Sequence, residues 1–178
     1  FIPSFKEVYS WKTNKKKFPK IKKIMEDKHR KGHFIGVLKV IEKLIDIIPA
    51  SKIYLGEKDF QQLKIIEDFF KINKVKTKII KCKTIRNSDG LALSSRNKLL
   101  NKRNLKKASE VVNLIRKIKF KNYPIDYKKK YIKKIFKINK IYFDYIEFIN
   151  LKEFKVSKKQ SRGIKIFIAF YINKIRLI

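Results

Sequence analysis

Between residues 34 and 48 the apolar side chains Phe34, Val37, Leu38, Ile41, Leu44, Ile45 and Ile48 recur at helical spacing, which predicts an amphipathic helix stopped by Pro49. Residues 52–55 follow as a short buried strand. Residues 59–72 return to helical period with Leu63, Ile66, Phe69 and Phe70 inward, and 75–83 alternate, predicting a second strand. Helix, strand, helix and strand with short connections is the pattern of a parallel sheet layered by helices. Residues 1–23 contain Pro3, Pro19 and a lysine run without period, and read as loop with a short extended piece.

Past the polar turn Arg86-Asn87-Ser88-Asp89-Gly90 the texture changes. Residues 104–118 and 127–136 read as helices, and 143–149, 165–172 and 175–178 as strands, with Asn173-Lys174 as a tight hairpin turn. The expected organisation is therefore the later half of an α/β domain over residues 1–98 and a small α+β unit over 99–178. Two parallel strands are too few for an open α/β sheet, so an upstream strand–helix half is expected. The start at Phe1 and the end at Leu177-Ile178 inside an apolar run agree with an expectation that both ends are cut.

The 178 residues, 44% hydrophobic, suffice for one ordinary domain or two small ones. A net charge of +33 points first to nucleic acid or an anionic membrane. Only seven of the 48 basic residues are arginines, however, and readers of phosphate and guanine edges lean on the arginine fork. The lysines spread along the whole chain, often alternating with isoleucine, so they read as solvated faces. Specific nucleic-acid binding is not expected; a basic nucleic-acid-binding module stands as the rival reading. The single cysteine, Cys82, excludes an internal disulfide. His29 and His33 stand four apart without the further ligands a metal set needs. No apolar run approaches membrane-spanning length and no signal peptide leads the chain, so a soluble, cytoplasmic protein without membrane partners is expected.

Two polar clusters carry chemistry. Gly56-Glu57-Lys58-Asp59 follows the first strand and opens a helix: the glycine admits a ligand close to the backbone, the helix start offers N–H groups to an anion, Lys58 supplies a cation and Asp59 a metal-capable carboxylate. The same tetrapeptide is also a common polar turn. Ser94-Ser95-Arg96 offers two hydroxyls and a guanidinium suited to phosphate oxygens, and is equally an ordinary loop or helix cap. Ligands of parallel α/β sheets bind at the carboxyl ends of strands, so both clusters are expected to converge on one cleft.

Five ordered segments then resemble the pantothenate synthetase family, the ligases that join pantoate to β-alanine. They are Arg30-Lys31-Gly32-His33-Phe34-Ile35-Gly36-Val37, residues 56–63, Arg86 with 89–97, Phe143-Asp144-Tyr145 and Ile175-Arg176-Leu177-Ile178. The resemblance implies a partial Rossmann-like domain of the class I synthetase and nucleotidyltransferase type, a small α+β C-terminal lid, and a homodimer when complete. It implies that pantoate attacks the α-phosphorus of Mg-ATP to give pantoyl adenylate, which β-alanine then opens with loss of AMP. Gly56, Glu57, Lys58 and Asp59 resemble part of the ATP site, Lys58 the phosphate-neutralising group and Asp59 a carboxylate for Mg2+. Gln62 resembles the pantoate-binding glutamine, with Gln61 its less favoured neighbour. Ile85 resembles a position whose backbone meets adenine, and Leu93, Ser94, Ser95 and Arg96 a mobile phosphate-binding loop. Arg30 and His33 match a motif lining the same region, a packing role being the other reading for His33.

The chain departs from the family pattern at Asp27, Lys31 and Asn173, where glycine, proline and a turn glycine are usual; asparagine tolerates positive φ. The family's glycine-and-histidine loop for the ATP phosphates and its second pantoate-binding glutamine do not occur in these residues. The expectation is that activity belongs to the complete protein. A related adenylate-forming ligase with another carboxylate substrate is a further alternative.

Overall fold

The computed structural model describes residues 2–9 and 16–178, Phe120 by its backbone alone. The chain divides into two units, Phe1–Lys83 and Thr84–Ile178. The expected loop over 1–23 holds a five-residue helix, α1 (Phe5–Tyr9), while residues 10–15 of that segment lie outside the described residues. The first unit continues through α2 (Met25–His29), α3 (His33–Ile47), β1 (Lys52–Gly56), a 3-10 turn (Glu57–Asp59), α4 (Phe60–Ile72) and β2 (Lys78–Cys82).

Helix α3 stops where its sequence dictates: Ile48 is extended at φ −121, ψ 95, as a residue before proline prefers. The strands β1 and β2 pair in parallel from Lys52↔Lys78 to Gly56↔Cys82, with α4 as the crossover. Helices α3 and α4 supply the core with Phe34, Leu38, Ile65, Ile66, Phe69 and Phe70, against which Ile53, Leu55 and Ile79 pack. Strand β1 alternates rather than being buried throughout, since Ile53 and Leu55 face that core and Tyr54 is 65% exposed. The physical reason is that the helices cover one face of the strand pair.

The end of α4 explains why β2 starts at Lys78 and not at Val75. Lys74 takes φ 49, its N–H bonds the Lys71 carbonyl, and the Val75 N–H bonds the Phe70 carbonyl at 2.9 Å. This closes the helix in a Schellman motif with lysine in the place glycine usually holds. Helix α6 ends identically: Lys140 takes φ 50 and the Ile141 N–H bonds the Phe136 carbonyl at 2.8 Å.

In the second unit a hairpin over 85–93 leads into a 3-10 turn (Ser95–Leu99), α5 (Lys102–Phe120), α6 (Ile125–Ile138) and four strands, β3 (Phe143–Asn150), β4 (Lys155–Val156), β5 (Ile164–Ile172) and β6 (Ile175–Leu177). The strands form an antiparallel sheet in the order β4-β3-β5-β6. Its core joins Ala108, Val111 and Ile115 of α5, Ile132 and Phe136 of α6, and Ile146, Phe148 and Phe170 of the sheet. Leu91 and Leu100 belong to the same core, so residues 84–98 pack with this unit. Asn173 turns the β5–β6 hairpin at φ 53, the conformation asparagine tolerates. Lys128 of α6 is buried and donates to the Lys119 carbonyl at 3.1 Å, capping the end of α5, and to Gln160 Oε1 at 3.3 Å.

Candidate functional site

The candidate residues divide between the units: Arg30, His33, residues 56–59 and Gln62 in the first, Ile85 and residues 93–96 in the second. In the first unit Gly56 closes β1 with an ordinary extended backbone, φ −74 and ψ 131. A Cβ on it would meet nothing within 4 Å. Backbone strain therefore does not require glycine here, and what its absent side chain provides is open room at the carboxyl end of β1. Glu57 and Lys58 are half-buried in the 3-10 turn and Asp59 is exposed. Asp59 sits at the start of α4, and its side chain makes no capping hydrogen bond to the helix.

The adjacent glutamines separate sharply. Gln61 is 2% exposed; its Oε1 accepts from the Glu26 N–H at 2.9 Å and its Nε2 donates to the Lys22 carbonyl at 3.3 Å. Gln62 is half-buried and makes no side-chain hydrogen bond among the described residues. Through Glu26, Gln61 also fastens the Arg30 segment to the first turn of α4. The Glu26 carboxylate lies 3.6 Å from Arg30 Nη1, and the His33 N–H bonds the Arg30 carbonyl at 3.1 Å. His33 opens α3 with its ring 5.1 Å from that of Phe34, a packing contact.

In the second unit the hairpin brings Ile85 and Leu93 together: the Leu93 N–H bonds the Ile85 carbonyl at 2.9 Å beside an Arg86↔Ala92 bridge. Both side chains are exposed, Ile85 by 68% and Leu93 by 53%, an apolar pair unusual for a turn. The tip is tightly built. Asn87 Oδ1 accepts from the Leu91 N–H, Arg86 Nη1 donates to the Gly90 carbonyl at 3.0 Å, and Asn113 Nδ2 donates to the Asp89 carbonyl at 2.8 Å. Gly90 takes φ +83, and a Cβ there would stand 2.6 Å from Arg116 Nη1 and 2.7 Å from Asn113 Oδ1. Partial burial, and secondarily the charge of Arg116, lowers the proton affinity of Arg86 below the ordinary arginine value.

The residues expected as a phosphate loop form a short turn, 3-10 over Ser95–Leu99. Ser94 is extended and precedes the 3-10 turn, and its Oγ accepts from the Arg96 N–H at 3.3 Å. Because that oxygen is the acceptor, the hydroxyl proton of Ser94 stays available to a ligand, as does the exposed hydroxyl of Ser95. Arg96 donates from Nη1 to the Arg176 carbonyl at 3.3 Å, while Arg176 Nε donates to Asp144 Oδ2 at 2.7 Å. Sequence reasoning gave no role to Asp144 and Arg176, although both lie in segments that carried the resemblance. Their signal is a carboxylate and an arginine each standing between apolar neighbours, Phe143 and Tyr145 in one strand and Ile175 and Leu177 in the other.

Among the described residues no three His, Cys, Asp or Glu side chains gather into a metal site, and no helix is long and apolar enough to cross a membrane. A family model described as pantoate-beta-alanine ligase matches residues 1–178. The pantothenate synthetase of Flavobacterium psychrophilum is 34% identical over 185 residues, covering all of this chain and 66% of that protein. That of Francisella tularensis subsp. mediasiatica is 36% identical over 180 residues, covering all of this chain and 62% of that protein. Among solved structures, the pantoate-beta-alanine ligase of Francisella tularensis complexed with beta-gamma ATP and beta-alanine is 35% identical, with a TM-score of 0.74 over 97% of this chain and 59% of that one. The pantothenate synthetase of Thermus thermophilus shares the fold at a TM-score of 0.86 and 23% identity, over 99% of this chain and 66% of that one. The chain thus spans 62–66% of the length of the curated relatives it matches. With the family match running the whole length of the chain, through both the turn after β1 and the Ser94–Arg96 segment, the chain belongs to the pantoate–beta-alanine ligase family.

Proposed function

We propose that the protein carrying this chain condenses pantoate with β-alanine at the expense of ATP, through a pantoyl-adenylate intermediate and with release of AMP. The observation that supports this most is the full-length family match, joined by a 35% identical relative solved with beta-gamma ATP and beta-alanine. In the first half-reaction a pantoate carboxylate oxygen bonds the α-phosphorus and pyrophosphate leaves. In the second, the β-alanine amine bonds the acyl carbon, AMP leaves and the amine proton passes to solvent. The protein's task in both is to position reactants and offset developing negative charge.

Each candidate residue has a part in that reading. Gly56 gives the nucleotide room, Glu57 shapes the turn, and Lys58 offsets phosphate charge beside the positive end of the α4 dipole. Ser94 and Ser95 donate hydroxyl protons and Arg96 its remaining N–H groups to phosphate oxygens. Ile85 and Leu93 offer backbone and an exposed aliphatic surface to adenine. Gln62, with a half-buried amide uncommitted among the described residues, binds pantoate; Gln61 is committed to the 22–26 backbone. Arg30 and His33 border the pantoate side. Mg2+ takes most of its ligands from nucleotide phosphates and water, so a lone exposed carboxylate fits it, and Asp59 is that group. A homodimeric, cytoplasmic enzyme completes the proposal.

The test is pyrophosphate release from ATP by the full-length protein. Release that requires pantoate, followed by AMP and pantothenate once β-alanine is added, is the expected result. The 178 residues alone are expected to release none, since a third or more of the relatives' length has no counterpart in them. Pantoate-independent hydrolysis, or activity with another carboxylate in its place, would overturn the proposal.

A further inference from the structure

Strict alternation along β3 would put Asp144 on the face of Ile146 and Phe148, among core side chains where a carboxylate has no place. The β3–β5 register instead shifts between Phe143 and Tyr145. An irregularity of this kind re-aims a side chain. The carboxylate of Asp144 reaches over β5 to β6, accepting from Arg176 Nε at 2.7 Å and from the Tyr171 hydroxyl at 3.3 Å. Both ion-paired side chains are nearly sequestered, Arg176 at 14% and Asp144 at 8% exposure. Tyr171 and Arg176 are partners in the β5–β6 register, so one carboxylate ties three strands at one level.

What that tie controls is a backbone atom. The carbonyl of Arg176 is the group to which Arg96 donates from Nη1. No substitution can delete a carbonyl, but loosening the side chain of the same residue shifts it. The use of arginine points the same way: the chain meets its need for positive charge almost always with lysine, yet both members of this relay are arginines. A planar fork can rest one N–H on a carbonyl and present the others to a phosphate, which a lysine ammonium on a flexible stem does poorly.

We infer that Asp144 and Arg176 are positioning residues that hold Arg96 in its phosphate-binding orientation, the shifted register of β3 being the device that aims Asp144; this rests on Arg96 being a nucleotide ligand. Two measurements separate the inference from that reading. In the full-length protein without substrates, Asp144→Asn and the milder Tyr171→Phe should speed amide exchange at Arg96, Asn97 and Leu100, the bonded N–H groups of the 3-10 turn, while the Ile146↔Ile168 pairing stays protected. In the full-length protein Asp144→Asn should raise the KM for ATP roughly three- to tenfold with the KM for pantoate unchanged, and add nothing further in an Arg96→Lys background. Tyr171→Phe, which keeps the ion pair, serves if Asp144→Asn unfolds. Unchanged exchange in the turn, additive effects of Asp144→Asn and Arg96→Lys, or equal losses for both substrates would overturn the inference. Absence of any pantoate-dependent turnover in the wild type would overturn the functional proposal, while the exchange experiment would still decide whether Asp144 acts on the turn.

Discussion

Replacing Gly90 by alanine asks whether the hairpin tip is held as tightly as its geometry indicates. An L-residue at φ +83 costs about 1–2 kcal/mol in backbone strain. The added Cβ also meets two side-chain atoms at 2.6 and 2.7 Å, and these are not equivalent. Arg116 Nη1 is the far end of a long, exposed side chain and swings away at little cost. Asn113 is less free, because its Nδ2 holds the Asp89 carbonyl at 2.8 Å and displacing it forfeits that bond, worth about 1 kcal/mol. The sum is about 2–3 kcal/mol, which for a unit of this size lowers the melting temperature by roughly 10–20 °C. The natural control is Gly56→Ala, where φ is −74 and nothing lies within 4 Å of the new methyl. There stability should hold or rise by up to about 1 kcal/mol while nucleotide binding weakens. Thermal melts followed by circular dichroism compare the two directly. A Gly90→Ala protein melting no lower than Gly56→Ala would refute the reasoning.

The two glutamines should respond oppositely. Gln61→Ala orphans the Glu26 N–H and costs about 1–3 kcal/mol in a urea titration, whereas Gln62→Ala leaves stability within about 0.5 kcal/mol and raises the pantoate KM of the full-length protein about tenfold; the reverse assignment would sink the distinction. Lys74→Gly and Lys140→Gly should each stabilise by about 0.5–1 kcal/mol by removing a side chain from a left-handed cap, read as a higher urea midpoint, and a lower midpoint would contradict the cap geometry.

The elements most legible in the sequence are those that bury one face. The spacing of Phe34, Leu38 and Ile41 and that of Ile66, Phe69 and Phe70 mark α3 and α4 because those residues make the core. Ends are less legible where a residue adopts a conformation its chemistry does not announce. Lysine at positions 74 and 140 gives no sign of positive φ, so the alternation from Val75 onward reads as strand where it is a helix cap. At the candidate site, the nature of the clusters at residues 56–59 and 94–96 is readable from side-chain chemistry and resemblance. Gln61 and Gln62 differ only in which way each turns from α4, and burial tells them apart. The link from Asp144 to Arg176 spans 32 residues and depends on one register irregularity, which no periodic pattern encodes.

The pairing of Gly56 with Cys82 at the ends of β1 and β2 has a practical consequence. Cys82 is the chain's one thiol and is half-buried, one strand spacing, about 4.8 Å, from the open room beside Gly56. A small environment-sensitive dye attached there in the 178-residue chain would need no engineered cysteine and would meet no competing thiol among these residues. Its emission would serve as a built-in optical gauge of what enters at the carboxyl end of that strand pair.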